Sequence, residues 1–262
     1  MIILYIFILG LCMGSFANVL IDRLPHEQSI NGRSHCDYCG KKLWIFDLIP
    51  ILSFIVLRGK SRCCNRSLSW QYPLIECVTG ILFVIIYLVL MSNQHITNVD
   101  VVGTVKLIIW SGIAVCLLVI FVADVKYQII PDEMQIVLGS LSLVLQLLTK
   151  PTVYTVAMSL VAGGVVMLPI LAIYLITKGR GIGFGDVKLA ISMGILLGIK
   201  GGFLGLYIAF IVGAIIGLIL IMGQKLKIKS KIAFGPFLVI GTIGVLIWGP
   251  QLKDIVYRLY GI

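Results

Sequence analysis

The chain has 262 residues, of which 60% are hydrophobic and only 12% are charged, and its mean hydropathy is +1.09. Soluble domains are roughly half apolar and about one quarter charged, so this composition excludes a purely water-soluble fold. The net charge is +10, from 21 Lys and Arg against 11 Asp and Glu. These cations are spread over several membrane-adjacent loops, which is typical of cytoplasmic loops and argues against nucleic-acid binding.

Eight apolar segments predict an all-α polytopic membrane protein with about eight transmembrane helices. The sixth segment is short, because a full crossing needs about 20 residues. The segments lie at about residues 2–21, 73–91, 104–123, 134–149, 152–177, 188–199, 202–222 and 235–250.

The distribution of Lys and Arg predicts the orientation of these segments. Loops on one side of the arrangement carry 16 of the 21 cations. The positive-inside rule therefore places those loops in the cytoplasm and both termini outside. No basic residue precedes the first apolar segment, so we interpret it as a retained span and not as a cleaved signal peptide.

We expect three parts along the chain: a first transmembrane helix at 1–21, a cytoplasmic cysteine-containing region at 22–72, and a membrane-embedded domain at 73–262. The middle part contains an apolar stretch from Leu43 to Leu57 that Asp47 and Pro50 interrupt. It is too short for a span. Two placements stay open for it, one at the membrane interface and one inside the protein.

Three acidic residues lie within or at the ends of predicted spans, namely Glu76, Asp124 and Asp186. An ionisable group at membrane depth is costly, so its default interpretation is functional. Asp124 ends the third span and Asp186 opens the sixth, and either one alone also fits an ordinary helix-end carboxylate. As a pair they suit a dyad that shares one proton, with one carboxylate acting as base and the other as acid.

Glycines precede Asp186 in the segment Gly183-Phe184-Gly185-Asp186. Gly183 and Gly185 allow close backbone approach, so we predict that they admit an extended substrate strand. The glycine-rich run lacks both a preceding strand and the spacing of a phosphate-binding loop, which argues against nucleotide binding.

Several segments resemble the prepilin peptidases, a family of G-x-G-D aspartyl proteases (family A24). The similarity runs through nearly the whole chain in family order. It rests on Gly14 to Val19 followed by Arg23-Leu24-Pro25, Ser69 to Glu76, Asp124 through Ile130-Pro131-Asp132, Gly183 to Leu189, and Phe234-Gly235-Pro236-Phe237.

This resemblance implies an enzyme that removes the basic leader from type IV prepilin or pseudopilin precursors at the cytoplasmic face of the bacterial inner membrane. Asp124 and Asp186 take the two catalytic positions, and the Phe234-Gly235-Pro236 segment would line the site. Many members also methylate the new N-terminus with S-adenosylmethionine, an activity associated with the first cytoplasmic region. The chain itself shows no methyl-donor site.

Four cysteines in the first cytoplasmic region predict a structural zinc site in a small zinc-ribbon-like loop domain. Cys36 and Cys39 form a C-x-x-C pair, and Cys63 and Cys64 follow about 25 residues later. In the family pattern the third ligand position falls on Ser61, which is a poor zinc ligand, and we predict that Cys63, beside Cys64, substitutes for it. His35 is a minor alternative ligand, and four metal-free thiols are the competing interpretation.

Two functions of other classes remain as alternatives. An ion-coupled secondary transporter would use Asp124 and Asp186 as coupling carboxylates, and it predicts carboxylates near mid-span and inverted repeats. A noncatalytic membrane scaffold would recruit a partner through the zinc loop, and it predicts that both aspartates are dispensable. The sequence does not identify which pilin-like substrate is processed or the oligomeric state.

Overall fold

The computed structural model describes residues 1–36, 38–92, 101–223 and 233–260, with side-chain surroundings described as far as Gly249. Regular structure in these ranges is helical, and the only β-type pairings are two isolated bridges, His35 with Lys42 and Lys60 with Ser67. The prediction of an all-α protein is therefore confirmed. The helices are α1 Ile2–Arg23, α2 Leu52–Val56, α3 Gln71–Ser92, α4 Val101–Tyr127, α5 Asp132–Thr149, α6 Val153–Thr177, α7 Phe184–Met222 and α8 Gly235–Tyr260.

The chain divides into two compact units, Met1–Val119 and Ile120–Ile262, so that α4 contributes to both. In the first unit, α1 packs along α3. A methyl group added at Gly10 would come within 2.7 Å of the Gly80 Cα, and one at Gly14 within 2.6 Å of the Glu76 Cα. Small residues let these two apolar helices approach at backbone distance, as helices in membranes commonly do.

The second unit is organised around α7, which packs against α5, α6 and α8. Glycines again set the spacing, because a methyl group at Gly194 would lie 2.6 Å from the Ala162 carbonyl oxygen on α6. The core of this unit holds Val166, Ile170, Leu189, Met193 and Leu238, all at most 2% exposed. Packing against these three helices therefore fixes the N-terminal turn of α7 relative to them.

The predicted sixth and seventh spans form one element with a break, α7, which is 39 residues long. At 1.5 Å per residue it would extend about 58 Å, far more than a hydrocarbon core of about 30 Å. The helix breaks at Gly198, where φ is 71° and ψ is 177°. The boundary between the two predicted spans therefore lies at Gly198, slightly before the predicted position. The part of α7 before the break is about 21 Å long, which is too short for a full membrane crossing, as the sequence predicted.

Five described helices are long and apolar enough to cross a membrane, and Gly235–Gly249 is a shorter apolar helix. The predicted span at 134–149 forms α5 but is not among the five. Its polar residues explain this, since Asp132, Glu133 and Gln135 occupy the first turn and Gln146 lies near the end. The predicted loop at 223–234 falls largely outside the described residues.

Candidate active site and metal centre

Asp124 lies near the C-terminal end of α4, in the second unit, and is only 4% exposed. The preceding residues Val119, Ile120 and Ala123 are fully buried, so the helix turns this face inward and carries the carboxylate with it. Within the described chain, Oδ2 of Asp124 is buried and has no hydrogen-bond partner. A buried carboxylate oxygen without a partner costs free energy unless a ligand or a reacting group supplies a hydrogen bond to it.

Asp186 occupies the first turn of α7 and is 5% exposed. Its Oδ2 accepts a hydrogen bond of 3.0 Å from the backbone N–H of Gly183, which stabilises the start of the helix. Its Oδ1 is buried without a partner in the described part of the chain. The helix-end role considered from the sequence therefore accounts for one oxygen of Asp186 and leaves the other unexplained.

The structure brings the two aspartates together, although they lie on helices that are distant in sequence. Their carboxylates are close enough for direct electrostatic interaction. Two neighbouring carboxylates can divide the roles of acid and base between them, which is what the predicted dyad requires. The catalytic role of this pair stays a prediction.

Gly235, at the start of α8, closes one side of this pair. A methyl group added at Gly235 would lie 2.6 Å from Oδ2 of Asp124 and 2.9 Å from Cδ1 of Ile130. The side chain of Ile130 also contacts Gly185, where an added methyl group would lie 3.2 Å from its Cβ. A side chain at this position would therefore displace the Asp124 carboxylate or the Ile130 side chain.

Side-chain hydrogen bonds hold the segment that carries Ile130. The Gln135 side chain donates to the Ile130 carbonyl at 3.4 Å, and the Ser192 hydroxyl donates to the Gln135 carbonyl at 3.1 Å. The Lys188 ammonium pairs with Asp132 at 2.6 Å. These contacts connect α5 to α7 next to Asp186. The sequence did not lead us to Gln135 and Ser192 as supporting residues. The available signal was that each is a polar residue within a buried helix face.

The structure assigns the two predicted substrate-binding glycines modest local roles. An added methyl group at Gly183 would lie 3.4 Å from Oδ2 of Asp186, which is ordinary contact. Gly185 is more restricted because Ile130 lies against it. Their contact with a substrate strand stays a prediction.

The four predicted metal ligands converge in the first unit. The sulfurs of Cys36, Cys39, Cys63 and Cys64 all lie within 4.8 Å of one another. Cys36 and Cys64 are 3.7 Å apart, and Cys39 and Cys63 are 3.1 Å apart. Thiolates sharing a tetrahedral zinc at about 2.3 Å would be separated by about 3.8 Å, so the arrangement fits such an ion with small adjustments. His35 is exposed and is not part of this group.

Two similar turns present these sulfurs, and the second turn has a serine where the first has a cysteine. In the first, the N–H of Cys36 bonds to the Lys41 carbonyl and the N–H of Gly40 to the Cys36 carbonyl. In the second, Ser61 and Asn65 make the equivalent bonds, so Ser61 stands where the first turn has Cys36. Its hydroxyl lies 2.9 Å from the sulfur of Cys64, and Cys63 supplies the remaining thiol.

The pKa shifts of two of these thiols are also compatible with binding of a cation. Burial raises the pKa of the Cys36 thiol, but backbone hydrogen bonds from Tyr38 and Cys39 and contacts with Cys63 and Cys64 bring it down to about 6. The neighbouring Cys39 raises the pKa of Cys63 to about 12. Burial and contact with Cys36 contribute less to the raised pKa of Cys63, and a bound divalent cation would favour the thiolate form of both Cys36 and Cys63.

Glu76 is buried in α3 and connects this helix to the cysteine-containing region. Its Oε2 accepts a hydrogen bond of 2.8 Å from the backbone N–H of Ile51. Ile51 has φ of 60°, which is unfavourable for a β-branched residue. The carboxylate thus helps to stabilise an unusual turn immediately before α2.

Comparison with known proteins covers both units. Residues 8–90 match the bacterial peptidase A24 N-terminal domain, and residues 111–218 match the type IV leader peptidase family. A Dickeya chrysanthemi protein named prepilin leader peptidase/N-methyltransferase is 30% identical over 94% of this chain and 92% of its own length. The chain belongs to the type IV leader peptidase family.

Other relatives with the same name support this membership of the leader peptidase family. A Klebsiella pneumoniae protein is 32% identical over 72% of this chain and 82% of its own length. A Myxococcus xanthus protein is 49% identical over 80 residues, which cover 30% of this chain and 24% of that protein. No solved structure matches the chain significantly.

The two matched regions separate the four cysteines from the pair of aspartates. The N-terminal match contains the four cysteines and Glu76, and the second match contains Asp124 and Asp186. Gly235 lies beyond both matches, although it contacts Asp124. Family membership supports a multi-pass membrane peptidase and does not favour the transporter or the scaffold.

Proposed function

We propose that this chain is a prepilin leader peptidase in which Asp124 and Asp186 form the catalytic dyad. The observation that carries the proposal is the pairing of two buried carboxylates, each with a buried oxygen that lacks a partner among the described residues. The substrates in this proposal are type IV prepilins, as the names of the relatives and of the family suggest. We extend the proposal to pseudopilin precursors and to a basic leader because the sequence motifs resemble those of prepilin peptidases.

In the proposed reaction, one ionised aspartate accepts a proton from water as the water oxygen attacks the scissile carbonyl carbon. The protonated aspartate donates its proton to the carbonyl oxygen, which gives a neutral tetrahedral intermediate. The C–N bond then breaks as the protonated aspartate gives its proton to the leaving nitrogen, and the ionised aspartate takes a proton from one hydroxyl of the intermediate, which becomes the product carboxylic acid. Both product ends are then free, and the two aspartates again share one proton.

The position of the dyad supports cleavage near the membrane surface. Asp124 lies within one turn of the end of α4, and Asp186 lies in the first turn of α7. The apolar helix of a pilin precursor can therefore remain in the membrane while its leader reaches the aspartates. We propose that this face is cytoplasmic, because the loops there carry most Lys and Arg.

The four cysteines would hold a structural zinc in this proposal. Zinc would supply the cross-link that a loop of about 50 residues needs, because so short a segment buries little apolar surface of its own. The relatives' second name, N-methyltransferase, makes S-adenosylmethionine the cofactor to test. A methylated product would be detected by mass spectrometry as the gain of one methyl group on the new N-terminus.

The first test is cleavage of a pilin-like precursor by the purified, reconstituted protein and its Asp124→Asn and Asp186→Asn variants. Asparagine keeps the side-chain shape but removes the proton chemistry. We expect each variant to lose at least about a hundredfold in rate, because acid–base catalysis contributes about 10²–10⁴-fold.

The matched control is Glu133→Gln, which changes an exposed carboxylate at the start of α5 and should cleave like the wild type. Cleavage by Asp124→Asn or Asp186→Asn at the wild-type rate would exclude the aspartyl mechanism. Elution profiles in detergent would show that each variant is folded.

A further inference from the structure

The cysteine-containing region exposes a group of large apolar side chains that lie outside every helix long enough to span a membrane. We call this group the apolar patch, and its exposed fractions range from 60% to 76%. Its members are Trp44, Ile45, Phe46, Leu52, Ile55, Val56 and Trp70. A soluble surface rarely leaves so many large apolar side chains next to one another, so such a patch marks an interaction site.

Local geometry makes this patch continuous. Leu52, Ile55 and Val56 occupy one face of α2, because residues three and four apart are neighbours on a helix. A short 3₁₀ helix at Ile45–Leu48 contacts α2. Trp70 is adjacent as well, since its ring lies 5.0 Å from that of Phe54 in α2.

The hydrogen bond between Ile51 and Glu76 sets the level of the patch relative to a membrane-spanning helix. Glu76 lies about 8 Å along α3 from its first residue, Gln71, and α3 is about 33 Å long. A hydrocarbon core is about 30 Å thick, so α3 barely exceeds it and Glu76 lies close to the boundary of the apolar layer. Because Ile51 immediately precedes α2, the patch is held at the same boundary.

Charge complementarity indicates the kind of surface that covers the patch. The exposed cations Lys41, Lys42, Arg58 and Lys60 flank it on both sides in the sequence. Aromatic rings beside Lys and Arg are typical of segments that lie in the interface of an anionic membrane. A basic leader peptide would be repelled by the same cations, which disfavours the substrate's leader as the occupant.

We propose that the apolar patch is inserted into the headgroup–acyl boundary of an anionic lipid bilayer. The cysteine-containing region is then an interfacial membrane module and not a water-exposed domain. Trp44 and Trp70 act as interfacial anchors, and Glu76 holds the module at its depth. This inference does not depend on the identity of the catalytic residues.

The test uses the full-length protein in lipid nanodiscs with single tryptophans as depth reporters. Trp110→Phe and Trp248→Phe remove the tryptophans outside the region, and Trp70→Phe then leaves Trp44 alone. We expect bromines placed near the headgroup to reduce Trp44 fluorescence at least about twofold more than bromines near the chain ends, because interfacial segments insert only about 5–10 Å. The reciprocal variant with Trp44→Phe reports on Trp70 in the same way.

Two further measurements test the role of charge and the role of Glu76. Replacing anionic lipid by neutral lipid, or Lys41 and Lys42 by Gln, should weaken the shallow quenching. Glu76→Ala should increase quenching by water-soluble acrylamide, because α2 loses its connection to α3. If Trp44 is instead quenched freely by acrylamide and not by brominated lipid, the patch faces water as a docking surface for protein, and the proposal is wrong.

Discussion

At the scale of single residues, the candidate active site depends on one position that cannot carry a side chain. Gly235 lies against Oδ2 of Asp124 and against Ile130, and both neighbours belong to packed elements. Neither the buried carboxylate nor the buried isoleucine can move far, because each is less than 10% exposed. The geometry of the dyad is therefore sensitive to a single methyl group.

We expect Gly235→Ala to reduce the rate of leader cleavage by about a hundredfold, since displacement of a catalytic group by about 1 Å has that effect. Cleavage of a pilin-like precursor by the reconstituted variant measures it. The matched control is Gly164→Ala, because no atom lies within 4 Å of the added methyl group there. Equal rates for both alanine variants would mean that Gly235 does not set the position of Asp124.

At the predicted metal centre, Ser61 occupies the position of the third cysteine, and we propose that Cys63 supplies the missing ligand. We expect Cys63→Ser to lower the zinc content that survives a chelator. We expect the double variant Ser61→Cys and Cys63→Ser to restore it, because the second turn then repeats the first. Elemental analysis of the purified proteins measures both. The control is Cys12→Ser, an exposed thiol on α1 that should not affect zinc. Full zinc retention in Cys63→Ser would contradict this assignment.

At the scale of elements, glycine controls both helix contact and helix shape. Gly194 on α7 lies against the backbone of α6, which explains why these helices pack closely despite their apolar surroundings. Gly198 has another role, since its backbone conformation is one that only glycine adopts readily. The break at Gly198 divides α7 into a short part that carries Asp186 and a longer part of about 36 Å.

We expect Gly198→Ala to destabilise the fold by about 1–3 kcal/mol through backbone strain alone, because nothing lies within 4 Å of the added methyl group. Thermal unfolding in detergent, followed by circular dichroism, measures this effect against wild type. Gly164→Ala again serves as the control, since that glycine lies inside α6 with no positive φ. If both variants unfold at the same temperature, the break tolerates a side chain.

At the scale of the whole molecule, charge is expected to determine how the chain crosses the membrane. Sixteen of 21 cations lie in loops assigned to one side. The two candidate sites belong to different compact units, with the cysteines in the first and the aspartates in the second. Orientation decides whether both face the compartment in which pilin precursors are made.

We expect green fluorescent protein fused after Ser67 or after Gly181 to fluoresce, because both positions fall in basic loops that should be cytoplasmic. Alkaline phosphatase fused after Lys150 should be active, since that loop should face outward. Paired fusions of both reporters at each position provide the internal control. The reverse pattern would invert the topology and place the aspartates outside.

Much of this protein could be predicted from local sequence. Hydropathy determined the membrane class, since runs of about 20 apolar residues have the length that a membrane-spanning helix needs. Asp124 and Asp186 stood out because carboxylates are rare at such positions, and the ordered motifs indicated their family. Cys63 was predicted as the substitute ligand because Ser61 is a poor one.

Only the tertiary structure decided which distant residues meet. Gly235 reaches Asp124, Glu76 reaches Ile51, and Gln135 supports Ile130 through contacts that no periodicity encodes. The break at Gly198 also became evident only in the fold, because a glycine in an apolar helix usually serves packing. Sequence patterns report the preference of a segment for water or lipid, whereas the pairing of segments depends on shape complementarity between surfaces far apart in the chain.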